Sequence, residues 1–209
     1  MPVSPAQNAD RRAPAWGADL PADDAEARKR LLAAAEACYA EIGPDRTKIT
    51  HIAQKAGVHR TTVYSYFSDR NAIFEACYVR ATTIVLDAAE PCWSTEKPFL
   101  ERLIDACVVG LEAAHSSPTM RALIRQDDLP HTYAMSQRSG EWRSRLHEGF
   151  GRRLAAAVEA GDVRDDLPAE TLANWVIRVC FSFIAEPGRP EDGGDEGVLR
   201  AFLAKSLAP

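Results

Sequence analysis

The sequence lacks any apolar run close to the roughly 20 residues that a membrane-spanning helix requires. Its first residues also lack the basic start and the apolar stretch of a secretory signal. The five cysteines include no C-x-x-C pair and have mostly apolar neighbours, which favours buried thiols over disulfides or a metal site. We therefore predict a cytoplasmic protein that neither enters a membrane nor carries a metal or a cofactor.

The alternation of apolar and polar residues that marks a half-buried strand is also absent over any useful length, and no internal repeat is found. Helical spacing recurs instead along most of the 209 residues, of which 46% are apolar and 26% are charged. This composition is sufficient for one sizeable core or two smaller ones. We predict an all-α fold of about nine helices.

Basic charge is scarce overall but locally concentrated. The net charge is -5, whereas the segment 44–71 carries five basic residues against two acidic ones. The local charge is therefore +3, which leaves about -8 for the rest of the chain. This asymmetry argues against a nonspecific polyanion binder and favours a small DNA-binding module on an acidic body.

Composition and turn residues divide the chain into three predicted parts. Residues 1–21 hold four prolines among small and polar residues, a composition typical of a disordered tail. Residues 22–70 contain three helical patterns and form the first module. Residues 71–209 form a larger helical domain, whose first helix, 71–90, links the two modules.

Capping and turn residues mark the limits of the first helices. Asp23 is suited to cap the first helix, with Glu26 three residues on, and Gly43 ends that helix before a proline. Asp69 is suited to cap the linking helix. The positions predicted to face inward are Leu31, Ala35, Cys38 and Ile42 in the first helix and Ile73, Cys77, Ile84 and Ala88 in the linking helix.

The segment 49–74 reads ITHIAQKAGVHRTTVYSYFSDRNAIF. Two short helices joined by a turn with glycine are the sequence form of a helix-turn-helix, whose second helix enters the major groove of DNA. Gly57 can adopt a positive φ in that turn. Ile52, Val58 and Val63 supply a small shared core, so the motif can fold as one unit.

The second helix of this motif carries side chains suited to DNA. Arg60, Thr61 and Thr62 lie at its start, where arginine can pair with guanine and a threonine methyl can touch thymine. The positions suited to phosphate contact are Tyr64, Tyr66 and Arg70. For the two tyrosines, a structural or merely exposed role is the alternative.

The segment resembles the DNA-binding domain of the TetR family of bacterial transcriptional regulators, whose pattern is roughly I-A-x-x-A-G-V-S-x-x-T-[LV]-Y-x-[YH]-F-x-[SN]-K-x-x-L. The matching positions are Ile52, Ala53, Ala56, Gly57, Val58, Thr62, Val63, Tyr64, Tyr66, Phe67, Arg70 and Ile73. The resemblance implies a three-helix DNA-binding domain followed by a larger ligand-binding and dimerisation domain. The DNA-binding residues that we predict are Thr50, His59, Arg60, Thr61, Thr62, Tyr64, Ser65, Tyr66 and Arg70.

Three positions depart from the family pattern. His59 stands where serine is usual, which puts the usual helix cap in question. Arg60 occupies a variable position that often holds a small residue, and we expect it to read a guanine. Arg70 replaces a lysine and keeps the charge. None of these changes removes contact with DNA.

The stretch 172–185, LANWVIRVCFSFIA, is apolar nearly all round, which a surface helix of a monomer would not be. One face can meet its own core and the other a partner subunit, and 198–203 carries a similar stripe. We predict a homodimer through a four-helix interface, as the resemblance also implies. The predicted interface residues are Leu172, Val176, Val179, Phe183, Val198, Leu199 and Phe202.

Large apolar side chains between the DNA-binding module and the dimer helices provide enough surface to line a cavity for a largely apolar small molecule. The alternative is a filled core. The predicted lining residues are Phe99, Leu103, Cys107, Tyr133, Trp142, Leu146, Phe150 and Trp175.

The predicted function is a repressor that binds a palindromic operator in double-stranded DNA as a dimer and is released when a small molecule tilts the linking helix. A regulator controlled by a protein partner is one alternative. The other is a helical-bundle enzyme that uses histidines or paired acids such as Asp165 and Asp166. Adjacent carboxylates on a helix point in different directions, and no catalytic signature is present, so we predict no enzyme.

Overall fold

A computed structural model describes Trp16, residues 20–124 and residues 139–209. These residues form nine α-helices and no strand, which confirms the predicted all-α class. The helices are α1 (Asp24–Ile42), α2 (Ile49–Ala56), α3 (Arg60–Tyr66), α4 (Arg70–Ala89), α5 (Phe99–Ser116), α6 (Pro118–Leu123), α7 (140–160), α8 (Ala169–Ala185) and α9 (194–207). Helices α7 and α9 each contain a π-helical turn, at His147–Gly151 and Leu199–Leu203. The predicted tail, 1–21, lies outside the described residues except for Trp16 and residues 20 and 21.

Helix α1 begins and ends where the sequence predicts. The Asp23 carboxylate accepts a hydrogen bond of 2.7 Å from the Glu26 N–H, which satisfies one of the free donors of the first turn. Gly43 ends the helix with a φ of 80°, a value that glycine adopts without strain. Leu31 and Cys38 are buried, so the predicted inward face is confirmed at these positions.

The turn between α2 and α3 depends on Gly57. Its φ of 68° lies in the left-handed region, and its N–H donates to the Gln54 carbonyl at 3.1 Å. Any side chain would strain this conformation, so the turn requires glycine. Ile52 and Val63 are fully buried and Val58 packs beside them, which confirms the small shared core of the motif.

Helix α4 begins at its predicted cap, because Asp69 accepts a hydrogen bond of 2.9 Å from the backbone N–H three residues on. Ile73 and Cys77 are fully buried, as predicted. The inward prediction for Ile84 and Ala88 is wrong, since both are exposed, Ile84 to 55%.

The buried face of α4 changes along the helix because its neighbours change. Near the start, the Cys77 thiol lies 3.8 Å from the Leu32 carbonyl of α1. Further along, Val85 meets α5 at Gly110, where an added Cβ would lie only 3.3 Å from the valine. The second half of the helix therefore buries a different set of side chains, namely Tyr78, Val79, Ala81, Thr82 and Ala89.

The described residues form two apolar clusters. The first contains residues of α1, α2, α3, α4 and α6, together with Trp142 of α7 and Phe181 of α8. The second lies among α5, α7, α8 and α9. Helix α4 thus shares the core of the DNA-binding module, and the domain boundary at residue 70 stays a prediction. None of the described helices is both long and apolar enough to cross a membrane.

Candidate nucleic-acid interface and cavity

Helix α3 presents one exposed side. Arg60, Thr61, Tyr64 and Ser65 are exposed and fall on that side by helical periodicity, with Tyr64 exposed to 53%. Thr50, at the start of α2, is exposed as well. Among the described residues the Arg60 guanidinium has no hydrogen-bond or ion-pair partner, so it is available to a ligand.

His59 caps α3 although it replaces the serine of the family pattern. The Thr61 N–H donates to His59 Nδ1 at 3.4 Å, and the Thr61 hydroxyl lies 2.9 Å from the same nitrogen. An unprotonated ring nitrogen can accept a hydrogen bond as a serine oxygen does. The departure at this position therefore preserves the cap.

Thr62 does not match its predicted role. The residue is only 3% exposed, and so it does not face the bases as predicted. The reason is its position on the inner side of α3, next to the fully buried Val63. An N-terminal position in a recognition helix is therefore insufficient to predict a base contact, because half of that turn packs inward.

Tyr66 is half-buried, and its hydroxyl is already engaged. It donates a hydrogen bond of 3.3 Å to the Asp24 carboxylate of α1. Desolvation and the nearby carboxylate raise the pKa of Tyr66, so the phenol remains a donor. The indole of Trp16 lies edge-on to this ring at 6.4 Å and is 8% exposed. Tyr66 thus joins α3 to α1 and to a residue of the predicted tail.

Two arginines connect elements of the helix-turn-helix region to one another. The Arg70 guanidinium donates to the Asp45 carbonyl at 2.9 Å, which holds the connection between α1 and α2. Arg28 of α1 donates to the Tyr66 carbonyl at 2.7 Å, and its guanidinium lies 4.3 Å above the Phe67 ring. The sequence analysis missed Arg28, because its partners are distant in sequence and no periodic signal connects them.

A cavity of about 110 Å³ lies among α4, α5, α6, α7 and α8. Four of the predicted lining residues lie in its wall, namely Cys107, Trp142, Leu146 and Phe150. The π-helical turn of α7 contributes Phe150, and widened turns of this kind are frequent at functional sites. Residues of α4 and α8 that the sequence analysis missed complete the wall, among them Thr82, Val85, Cys180 and Phe181.

Three of the remaining predicted lining residues do not reach this cavity. Phe99 and Leu103 are buried in the second apolar cluster, where they fill the core. Trp175 lies on the outside of α8, 48% exposed, and its Nε1–H donates to the Ser206 hydroxyl at 3.4 Å. Tyr133 lies outside the described residues. For these positions apolar size alone did not separate cavity from core or surface.

The Cys107 thiol of the cavity wall remains protonated. A hydrogen bond with Cys180 and, to a smaller extent, burial raise the pKa of Cys107 well above that of an ordinary thiol. A thiol of raised pKa is a poor nucleophile and a poor metal ligand. Cys38, Cys77 and Cys107 are buried as predicted, whereas Cys92 and Cys180 are half-buried.

The predicted dimer face is only partly available. Leu172, Val176 and Leu199 are buried in their own subunit, with exposures of 3%, 1% and 1%, so these three predictions are wrong. They lie on the side of α8 and α9 that closes the second apolar cluster. Phe202 is 70% exposed and Trp175 is exposed beside it in the fold, which leaves an apolar surface.

The outer apolar surface of α8 and α9 combines exposed and half-buried side chains. Its members are Trp175, Val179, Phe183, Val198 and Phe202. We refer to these five residues as the outer apolar face.

Comparison with known proteins agrees with this geometry. A family model described as bacterial regulatory proteins, tetR family, matches residues 31–77. The HTH-type transcriptional repressor BepR of Brucella suis biovar 1 is 28% identical over 180 residues, with 83% of this chain and 86% of BepR covered. An HTH-type transcriptional regulator of Mycobacterium tuberculosis (strain H37Rv) is 28% identical over 191 residues, with 88% and 84% covered.

Solved structures show the same fold at low sequence identity. A TetR family transcription regulator from Marinobacter aquaeolei VT8 aligns with a TM-score of 0.61 at 19% identity, covering 87% of this chain and 95% of that chain. The transcriptional regulator FadR from Bacillus subtilis, solved with stearoyl-CoA, aligns with a TM-score of 0.60 at 14% identity, covering 85% and 95%.

A recognition helix exposed on a glycine turn, within an all-helical fold, defines a helix-turn-helix transcriptional regulator. Residues 31–77 match the DNA-binding domain of the TetR family of bacterial regulatory proteins, and the chain as a whole is similar to HTH-type transcriptional regulators. It is a DNA-binding regulator and not an enzyme.

Proposed function

We propose that this protein is a repressor that binds a palindromic operator as a homodimer and releases it when a small, largely apolar molecule occupies the cavity. Arg60, Thr61 and Thr50 contact base edges, while Tyr64 and Ser65 meet the phosphate backbone. Their exposure on one side of the helix-turn-helix supports these roles. Tyr66 braces the motif through Asp24, and the free N–H groups of Arg70 reach a phosphate.

The observation that carries this proposal is the position of α4. Its first turn follows α3 directly, and Ile73 is fully buried in the core of the helix-turn-helix. Its second half lines the cavity with Tyr78, Thr82 and Val85. A ligand that moves these side chains must move the helix that positions α3, so occupancy of the cavity changes the separation of the two recognition helices.

The outer apolar face supports the dimer. Phe202 and Trp175 expose too much apolar surface for a helix pair that faces only water. Pairing α8 and α9 with the same helices of a second subunit buries this face in an isologous contact. The twofold axis then sets two copies of α3 about one DNA turn, roughly 34–36 Å, or a multiple of it apart.

Selection of bound duplexes from a random DNA pool by the full-length protein tests the proposal. We expect a palindromic motif with half-sites spaced by whole turns of the double helix. A library of small neutral molecules is then screened for compounds that release the recovered duplex in a gel-shift assay. Enrichment of no motif, or of a single half-site, would contradict the dimeric repressor.

A further inference from the structure

The wall of the cavity contains no charged side chain among the described residues. It does not include any Asp, Glu, Lys, Arg or His, and most of it is aliphatic or aromatic. A buried charge without a partner is strongly unfavourable, so a wall of this chemistry rejects ions. The wall is nevertheless not free of polar groups, and one of them has no partner.

That group is the indole N–H of Trp142. The side chain is 2% exposed, and its Nε1 is buried without a hydrogen-bond partner among the described residues. Tyr78 and Phe181 hold the ring, each with a centroid separation of 6.2 Å. Neither ring accepts a hydrogen bond from this N–H, so the donor is left unsatisfied next to the cavity that Trp142 lines.

The size of the cavity limits its occupant. Its volume is about 110 Å³. An apolar cavity of about 150 Å³ engineered in another protein binds benzene. This cavity is smaller, so it holds a molecule of at most about six non-hydrogen atoms. A long-chain acyl-CoA such as the stearoyl-CoA bound by FadR is much larger and anionic, and neither property suits this site.

We propose that the effector is a compact neutral molecule with one hydrogen-bond acceptor, such as a carbonyl or ether oxygen, and that this acceptor pairs with the Nε1–H of Trp142. The identity of the site as the effector site rests on the function proposed above. The apolar wall supplies affinity by burial, and the indole N–H orients the ligand and selects for the acceptor. Thr82, which is buried in the same wall, lies on the helix that carries the response.

Three ring compounds of equal size test this inference by calorimetric titration of the full-length protein. Cyclopentanone carries an acceptor, methylcyclopentane carries none, and cyclopentylammonium carries a charge. The variant Trp142→Phe keeps an aromatic ring but removes the N–H. We expect it to weaken cyclopentanone binding about three- to tenfold while methylcyclopentane binding changes less than about twofold. Neither protein binds cyclopentylammonium.

A matched control is Trp93→Phe. Trp93 also lines the cavity, but its ring N–H does not belong to the buried donors that lack a hydrogen-bond partner. This variant should leave the ratio of the two affinities unchanged. Equal weakening of both neutral ligands by Trp142→Phe would mean that Trp142 only packs. Binding of the ammonium compound would overturn the neutral ligand class.

A second measurement requires no variant, in case Trp142→Phe fails to fold. In the NMR spectrum of the unmodified protein, the Trp142 indole proton should shift downfield with cyclopentanone and not with methylcyclopentane. No selective shift would overturn the inference. If the shift occurs but no ring compound alters operator binding, the ligand class stands and the effector function proposed for the cavity fails. Failure of this inference can therefore be distinguished from failure of the proposed function.

Discussion

Replacement of Arg28 by alanine should loosen the recognition helix from α1. Arg28 makes two contacts at the end of α3, a hydrogen bond of 2.7 Å to the Tyr66 carbonyl and a stack 4.3 Å above the Phe67 ring. A carbonyl at a helix C-terminus carries negative charge, so a guanidinium is favourable there. The side chain is exposed, which reduces both contributions.

The expected magnitude follows from these two contacts. An exposed cation over an aromatic ring contributes about 0.5–1 kcal/mol. The hydrogen bond, screened by water, contributes about 0.5–1 kcal/mol. The loss is therefore about 1–2 kcal/mol, which for a chain of this length lowers the melting temperature by about 2–8 °C.

Thermal unfolding followed by circular dichroism, at one fixed protein concentration, measures this change. The control is Lys29→Ala, which removes the same charge from the neighbouring exposed position of α1. We expect the control to melt within about 1–2 °C of the unmodified protein. Equal melting temperatures for the two variants would refute the role of Arg28 as an anchor of α3.

The remaining predictions concern DNA binding and assembly. Arg60→Ala should weaken binding to the specific operator by about 1–3 kcal/mol and relax the preference at one base position, as measured by gel shift. The control is Arg143→Ala, which changes an exposed arginine of α7 and should have little effect on DNA binding. If Arg60→Ala weakened binding equally on all DNA sequences, Arg60 would touch only phosphate. Tyr64→Phe should weaken binding without altering sequence preference, and an altered preference would overturn its phosphate role. Phe202→Glu should convert the dimer to a monomer in sedimentation experiments, because it places a charge in the outer apolar face; a persistent dimer would exclude this face as the interface.

Local signals predicted the helix-turn-helix accurately. Asp23 and Asp69 cap their helices, and Gly57 takes the positive φ that its turn requires. Each of these features depends on atoms three or four residues apart, so the sequence alone contains all the participants. His59 shows the limit of motif matching, since an unexpected residue type supplies the same cap through a ring nitrogen.

Long-range contacts produced the features that sequence reasoning missed. Trp16 was placed in a disordered tail by composition, yet its indole is buried against Tyr66. Thr62 was assigned to the bases by its position at the start of α3, yet it packs inward. Arg28 carried no signal at all. In each case the deciding neighbour lies on another helix, and periodicity along one helix cannot identify it.

The sequence by itself determined the helical class, the limits of the first four helices and the exposed basic start of α3, because capping, turn chemistry and helical spacing are local. The tertiary structure alone decided which side of α8 closes the core and which is left outside. In a helix that is apolar nearly all round, the sequence does not indicate which side is buried. Packing against α5, α7 and α9 buries Val176 and leaves the neighbouring Trp175 exposed. The cavity beside Trp142 arises in the same way, from side chains of five helices that no local pattern brings together.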